Sequence, residues 1–151
     1  MEPTSIGRYQ LRKRLGSGGM ADVYLATFDV SGVDKHVVVK RVLARHVDSE
    51  RVRTMMLDEA RIGTQLRHQN IVQTLDAGVH DGVPFVALEY IEGVDLRRLL
   101  AFLERTGKSL SVEAVAFIGA ELMAALDYAH RAVGTDGRRL NVVHRDVTPC
   151  L

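Results

Sequence analysis

The sequence predicts an α+β chain in which strands dominate the first part and helices the second. Three observations carry this. Apolar residues alternate on both sides of a glycine cluster, with Tyr9, Leu11 and Leu15 before it and Val23 and Leu25 after it. The run His36-Val37-Val38-Val39-Lys40-Arg41-Val42 is rich in β-branched residues, which favour extended backbone. Beyond Glu92-Gly93 the apolar residues change to a helical spacing.

In chain order, the alternation gives two strands joined by a glycine-rich turn, and residues 36–42 a third strand. Residues 49–67 read as a helix with Val52, Met55, Met56 and Leu66 on one stripe. Residues 71–74 and 85–89 are two further short strand candidates. Leu96, Leu99, Leu100 and Leu103 form the stripe of a second helix, and Ser111 can cap a third that runs to about Ala132. Thr135-Asp136-Gly137 marks a turn, and Asn141-Val142-Val143 a short strand into His144-Arg145-Asp146.

A chain of 151 residues is long enough for one domain with a real core. The apolar fraction of 46% and charged fraction of 26% are those of a soluble globular protein. Twenty basic and 19 acidic residues leave a formal charge of +1, which argues against a nucleic-acid or anionic-lipid partner recognised through a general field. The single cysteine, Cys150, excludes an internal disulfide and a cysteine-rich metal site. No leader pattern and no membrane segment stands out, so a cytoplasmic location is expected.

The chemistry begins with Glu59. At about 100° per residue it falls near the middle of the apolar stripe of its helix, so a carboxylate is expected to face inward. A buried carboxyl is either protonated or met by a cation, and Lys40, flanked by valines within a strand, is the obvious candidate to meet it; the alternative is that both side chains reach out to solvent. Gly16-Ser17-Gly18-Gly19-Met20-Ala21, set between two strands, can bring backbone N–H groups close to phosphate oxygens. The same spacing fits a dinucleotide-binding fingerprint, but that pattern should open a helix and residues 21–27 alternate like a strand. The third feature is His144-Arg145-Asp146-Val147-Thr148-Pro149.

On these residues the sequence resembles the protein kinase family. Gly16, Gly18 and Val23 are similar to its glycine-rich loop, Val37-Val38-Val39-Lys40 to its strand lysine, Glu59 to the helix partner of that lysine, and His144-Arg145-Asp146 to its catalytic loop. Gly-Gly-Met-Ala-Asp-Val-Tyr and the Thr-Pro after Asp146 look most like bacterial members of the eukaryotic-type serine/threonine kinases. The resemblance implies a kinase-like N-lobe, a five-stranded antiparallel sheet plus one helix, followed by the first helices of an incomplete C-lobe. It implies an N-terminal tail over residues 1–8, the N-lobe and hinge over 9–92, and the C-lobe part over 93–151.

The resemblance further implies that ATP is the cofactor, that Mg²⁺ accompanies it, and that a protein serine or threonine is the substrate. It makes Lys40 the contact to the α- and β-phosphates, Glu59 its holder and Asp146 the base for the substrate hydroxyl. Gly16, Ser17, Gly18 and Gly19 would cover the phosphates, while Leu15, Val23 and Val38 would sandwich the adenine. Leu88 would guard the back of that pocket, Glu89 to Ile91 would form the hinge, and Asp95 could reach the ribose. Arg145 takes the place that meets an activation-loop phosphate in many relatives, and His144 reads as a satisfied core histidine.

Four positions depart from the pattern. Ala21 replaces the third loop glycine, Val38 replaces an alanine beside the adenine, and Thr148 stands where many relatives carry a lysine that neutralises the transferring phosphate. Leu151 occupies the place of the asparagine that binds Mg²⁺, and the 151 residues contain no Asp-Phe-Gly. No metal ligand is therefore assigned, and this chain alone is expected to be inactive. The helix after Ser111 is apolar nearly all round and should leave an apolar patch open, with Glu121 and Asp127 merely solvated. A non-catalytic nucleotide-binding or interaction module is the rival to a kinase, and a dinucleotide binder a second.

Overall fold

The computed structural model describes residues 4–149. The chain divides into two compact units, one holding the residues up to Arg67 together with Val72–Tyr90, the other holding His68–Ile71 and the residues from Ile91 onward.

The first unit is a six-stranded antiparallel sheet carrying one helix. Its strands are β1 (Ser5–Ile6), β2 (Tyr9–Ser17), β3 (Ala21–Val30), β4 (Val33–Val42), β5 (Thr74–His80) and β6 (Val83–Glu89), in the order β1-β2-β3-β4-β6-β5. Helix α1 (Glu50–Gly63) sits between β4 and β5 in the chain. The sixth strand is the short β1, within the stretch expected as a tail, and its Ile6 is only 1% exposed.

Two hairpins set the registers. Ser31-Gly32 joins β3 to β4 with φ of 55° and 84°, and Asp81-Gly82 joins β5 to β6 with φ of 50° and 78°. Two left-handed residues in a two-residue loop match the right-handed twist of the strands they connect. These turns extend β4 back to Val33 from the expected 36. They also move the fifth strand to Thr74–His80, so that the expected strand at 71–74 only touches its start.

Successive residues of each strand point to opposite faces. Ile6, Tyr9, Ala26, Val37, Val39, Phe85 and Ala87 pack on one of them. Tyr9 anchors that face edge-on to Phe28 at 5.5 Å and Phe85 at 6.0 Å, while its hydroxyl donates to Asp76 Oδ2 at 2.8 Å. Ala21, Val42 and Val86 lie on the other face and pack with Met56 and Ala60 of α1, a cluster that Val83 joins from the start of β6. Ser49 caps α1 through its hydroxyl, which accepts the Val52 N–H. The helix stops at Gly63 rather than at the expected 67, where the chain passes so close to Thr74 that a Cβ at residue 63 would collide with the threonine hydroxyl.

The second unit holds α2 (Leu96–Arg105) and α3 (Val112–Arg131). Ser111 caps α3 as the sequence suggests, its Oγ accepting from Ala114 N–H at 3.1 Å, and Asp95 caps α2, its Oδ1 accepting from Arg98 N–H at 2.8 Å. The segment His68–Ile71 is fastened to α3 by Asn70, whose side-chain amide donates to the Glu121 carbonyl at 3.2 Å and to its carboxylate. Glu121 is thus an anchor rather than a solvated charge, and Asp127 pairs with Arg131 one turn on at 2.8 Å. Much of α3 is apolar and open, with Val112, Val115, Phe117 and Met123 exposed and Ala125 and Ala129 buried.

After α3 the chain turns at 135–137, with Gly137 N–H donating to Gly134 O at 2.9 Å. The strand expected at 141–143 is not there: Asn141 has φ of 49°, and these residues join no ladder. A strand is defined by the partner that takes its backbone hydrogen bonds, and among the described residues none is paired with this segment. No helix among the described residues is long and apolar enough to cross a membrane.

Candidate active site

The glycine cluster forms the tip of the β2–β3 hairpin. Gly16 pairs with Val23 and Ser17 with Asp22, and Gly18 N–H donates to Ala21 O at 2.9 Å to close the turn. Ala21 opens β3 rather than a helix, which removes the dinucleotide-binding reading. Arg14 and Asp22 form an ion pair across the base of this hairpin, a cross-strand pair that alternation around the glycines could have revealed.

Opposed residues in an antiparallel ladder share a face of the sheet. The registers oppose Val23 to Lys40, Leu25 to Val38, Val38 to Leu88 and Lys40 to Val86. Val23, Leu25, Val38, Lys40 and Leu88 therefore lie on the α1 face of the sheet. Ala21, Val42 and Val86 are buried by the helix, whereas Val23, Leu25, Val38, Lys40 and Leu88 stay half-open. The result is an apolar strip that ends in an ammonium group. Leu25, read from the sequence only as part of a strand, belongs to it as well, and its alternation with Val23 was the signal for that. Leu15 is exposed, at a register irregularity of β2 between Arg14 and Gly16.

Lys40 Nζ donates to Glu59 Oε1 at 2.9 Å, so the expected pair forms. The expected reason for it is corrected. The Lys40 and Glu59 side chains are 32% and 65% exposed, and Met55 is exposed as well. The buried stripe of α1 runs through Val52, Met56 and Ala60, four residues apart, and Glu59 borders it about 60° round the helix from Met56. From there its carboxylate reaches Lys40 without leaving water.

At the end of β6, Glu89 is committed to Gln73: its N–H donates to Gln73 O at 3.0 Å and its carboxylate accepts Gln73 N–H at 2.6 Å. Ile91, Asp95 and Asp146 belong to the second unit. Ile91 is exposed, and Asp95 is the α2 cap, with Oδ2 also 3.4 Å from Arg98 Nε. Asp146 is exposed, and its N–H donates to His144 Nδ1 at 3.3 Å across Arg145, whose φ is 63°. His144 is itself exposed, a local support for this bend rather than a core histidine. Pro149 O accepts Arg97 N–H at 2.8 Å, tying the same loop to the first turn of α2.

The first-unit residues suit a nucleotide triphosphate. A Cβ placed on Gly16 or Gly19 would meet nothing within 4 Å, so the loop borders open space, and Lys40 supplies a cation at the end of an apolar strip. Among the described residues no three His, Cys, Asp or Glu side chains gather as a metal site.

A family model described as the protein kinase domain matches residues 9–150. The chain is 33% identical to the tyrosine-protein kinase MasK of Myxococcus xanthus over 95% of its own length and 22% of that protein. It is 37% identical to the serine/threonine-protein kinase PknE of Mycobacterium tuberculosis over 98% of its length and 24% of the relative. It thus spans about a quarter of the length of these curated relatives. The crystal structure of the M. tuberculosis PknI kinase domain superposes with a TM-score of 0.73 at 27% identity, covering 97% of this chain and 53% of that one. With a glycine hairpin over an apolar strip, a strand lysine paired to a helix glutamate, and a family match across nearly its whole length, the chain belongs to the protein kinase family.

Proposed function

We propose that this chain carries the ATP-binding part and the catalytic-loop aspartate of a kinase that transfers the γ-phosphoryl group of ATP to a serine or threonine hydroxyl of a protein. The observation that carries the reading is the 2.9 Å pair between Lys40 and Glu59 on the half-open face shared by Val23, Val38 and Leu88. The adenine lies against the apolar strip, below Leu15, Val23 and Val38 and in front of Leu88, with the backbone of Glu89 to Ile91 reading its edge. Lys40 meets the α- and β-phosphates under the backbone of Gly16, Ser17, Gly18 and Gly19, and Asp95 takes a ribose hydroxyl with the lone pairs its cap bonds leave. Asp146 orients the substrate hydroxyl and accepts its proton. Mg²⁺, which the family uses, would neutralise the phosphates. Serine/threonine specificity follows the likeness to the serine/threonine-protein kinase PknE, and the likeness to the tyrosine-protein kinase MasK makes tyrosine the other outcome to assay.

As a 151-residue polypeptide the chain should bind ATP with a Kd of about 1 μM to 1 mM and transfer phosphate no faster than background. Leu151 offers no ligand where the family places asparagine, and phosphoryl transfer depends on positioning and charge neutralisation. The test is calorimetric titration with ATP of the wild type and Lys40→Ala, together with a radiolabelled ATP assay on a generic protein substrate. Binding by a folded wild type that Lys40→Ala weakens supports the site. A folded chain that ignores ATP sinks it, and turnover abolished by Asp146→Asn in the 151-residue chain would overturn the expected inactivity. Binding without transfer even when the chain is joined to the second half of a relative's kinase domain would favour the non-catalytic module.

A further inference from the structure

Three successive carbonyls at the tip of the glycine hairpin are held. Ala21 O accepts Gly18 N–H at 2.9 Å, and Met20 O accepts Leu43 N–H at 2.9 Å. Gly19 O accepts Arg45 Nη2 at 3.1 Å and lies 3.0 Å from His46 Nε2. Leu43, Arg45 and His46 come from the short stretch that follows β4 and contains the 3-10 turn Ala44–His46. The last two bonds therefore tie the most mobile kind of residue, a glycine in a glycine run, to side chains 26 and 27 positions away.

In a trans peptide the C=O and the N–H that follows it point to opposite sides. Fixing Gly19 O toward Arg45 consequently turns Met20 N–H away from the Ala44–His46 turn, and fixing Met20 O toward Leu43 N–H turns Ala21 N–H the same way. We propose that Arg45 and His46 are positioning residues of the phosphate loop, which set the Gly19–Met20 peptide plane so that its N–H faces a bound triphosphate. The inference rests on the reading above that this loop covers ATP. Arg45 is the principal donor. His46 supports it in either tautomer, donating to Gly19 O when Nε2 carries the proton, and otherwise accepting Arg45 Nε, 3.3 Å away, and steadying the guanidinium. Neither residue is needed to hold the adenine end of the ligand, so their loss should be felt by the phosphates alone.

The test compares ATP with adenosine on the whole 151-residue chain, by ligand-observed NMR, for wild type, Arg45→Met/His46→Leu, Arg45→Lys and Lys40→Ala. Methionine keeps the aliphatic stem without a donor, and lysine keeps a donor. The double variant should weaken ATP about three- to tenfold, the scale of one or two exposed hydrogen bonds. It should leave adenosine affinity and the ligand-free thermal midpoint unchanged, and Arg45→Lys should keep most of the ATP affinity. Unchanged ATP binding in the double variant, with Lys40→Ala still weakening it, would overturn the positioning role and leave the nucleotide site standing. Equal losses for ATP and adenosine would make the pair merely structural and also overturn it. If folded wild type ignores ATP, or Lys40→Ala changes nothing, the nucleotide reading fails and this proposal with it. Should the double variant not fold, Arg45→Met alone is read by the same criteria.

Discussion

Replacing Glu59 by glutamine removes a charge from the Lys40 pair while keeping its shape, and the structure fixes how much that should matter. At 2.9 Å two unit charges attract by about 1.4 kcal/mol in bulk water. With Glu59 65% exposed, little hydration is lost on pairing, and ordering two long side chains offsets much of the attraction. Exposed pairs of this kind couple by about 0.2 to 1 kcal/mol, against about 3 to 5 kcal/mol when one partner of a buried pair is removed. The assay is a double-mutant cycle over wild type, Glu59→Gln, Lys40→Met and both together. Urea unfolding would be followed by far-UV circular dichroism, because the chain has no tryptophan. The coupling energy should fall below about 1 kcal/mol, while Glu59→Gln weakens ATP binding roughly fivefold by releasing Lys40. A coupling above about 2 kcal/mol would refute the exposed-pair reasoning, and ATP binding indifferent to Glu59→Gln would refute the carboxylate's role in holding the lysine.

Gly63→Ala should destabilise the first unit by about 1 to 3 kcal/mol, read from the same denaturation, since its Cβ would collide with the buried Thr74 hydroxyl and approach Thr74 Cβ to 3.2 Å. Ser111→Ala removes the acceptor of Ala114 N–H and should cost about 1 kcal/mol, visible as lost helicity at moderate urea. Burial of the Tyr9 phenol raises its pKa above the ordinary 10, with the bond to Asp76 acting in the same direction and Arg8 opposing. The neutral phenol is thus favoured in the folded chain, and the stability it contributes is full below pH 10 and lost as pH rises through the higher folded value. Tyr9→Phe should abolish that alkaline loss in thermal melts taken above pH 9, and a slope unchanged by the substitution would count against it.

The sequence by itself determined which residue types stand at which positions along the chain. Alternation, the glycine cluster, the β-branched run, the helical stripes and the capping Ser111 located the two strands around the hairpin, the lysine strand and three helices. These signals are legible because they are local: a helix or strand writes its period into consecutive residues, and a cap needs only its own first turn. The Ser31-Gly32 and Asp81-Gly82 turns were equally local and went unread, which is why the β4 and β5 limits moved. The helical stripe and the valine-flanked strand pointed to Glu59 and Lys40 before the family pattern added Asp146, but the stripe set Glu59 at its middle, whereas the structure places it at the border.

Tertiary structure decided what no local period can carry. Which flank of α1 is buried depends on where Val42 and Val86 lie beneath it, and this left Glu59 in water beside Lys40 instead of sealed with it. The strip of Val23, Leu25, Val38 and Leu88 exists only through strand register, because a shift of one residue would turn each of them to the opposite face. Glu121 became an anchor because Asn70, 51 residues earlier, reaches it. Arg45 meets the carbonyl of Gly19 across 26 residues for the same reason: the chain's path, rather than any spacing along it, brings them within hydrogen-bonding distance.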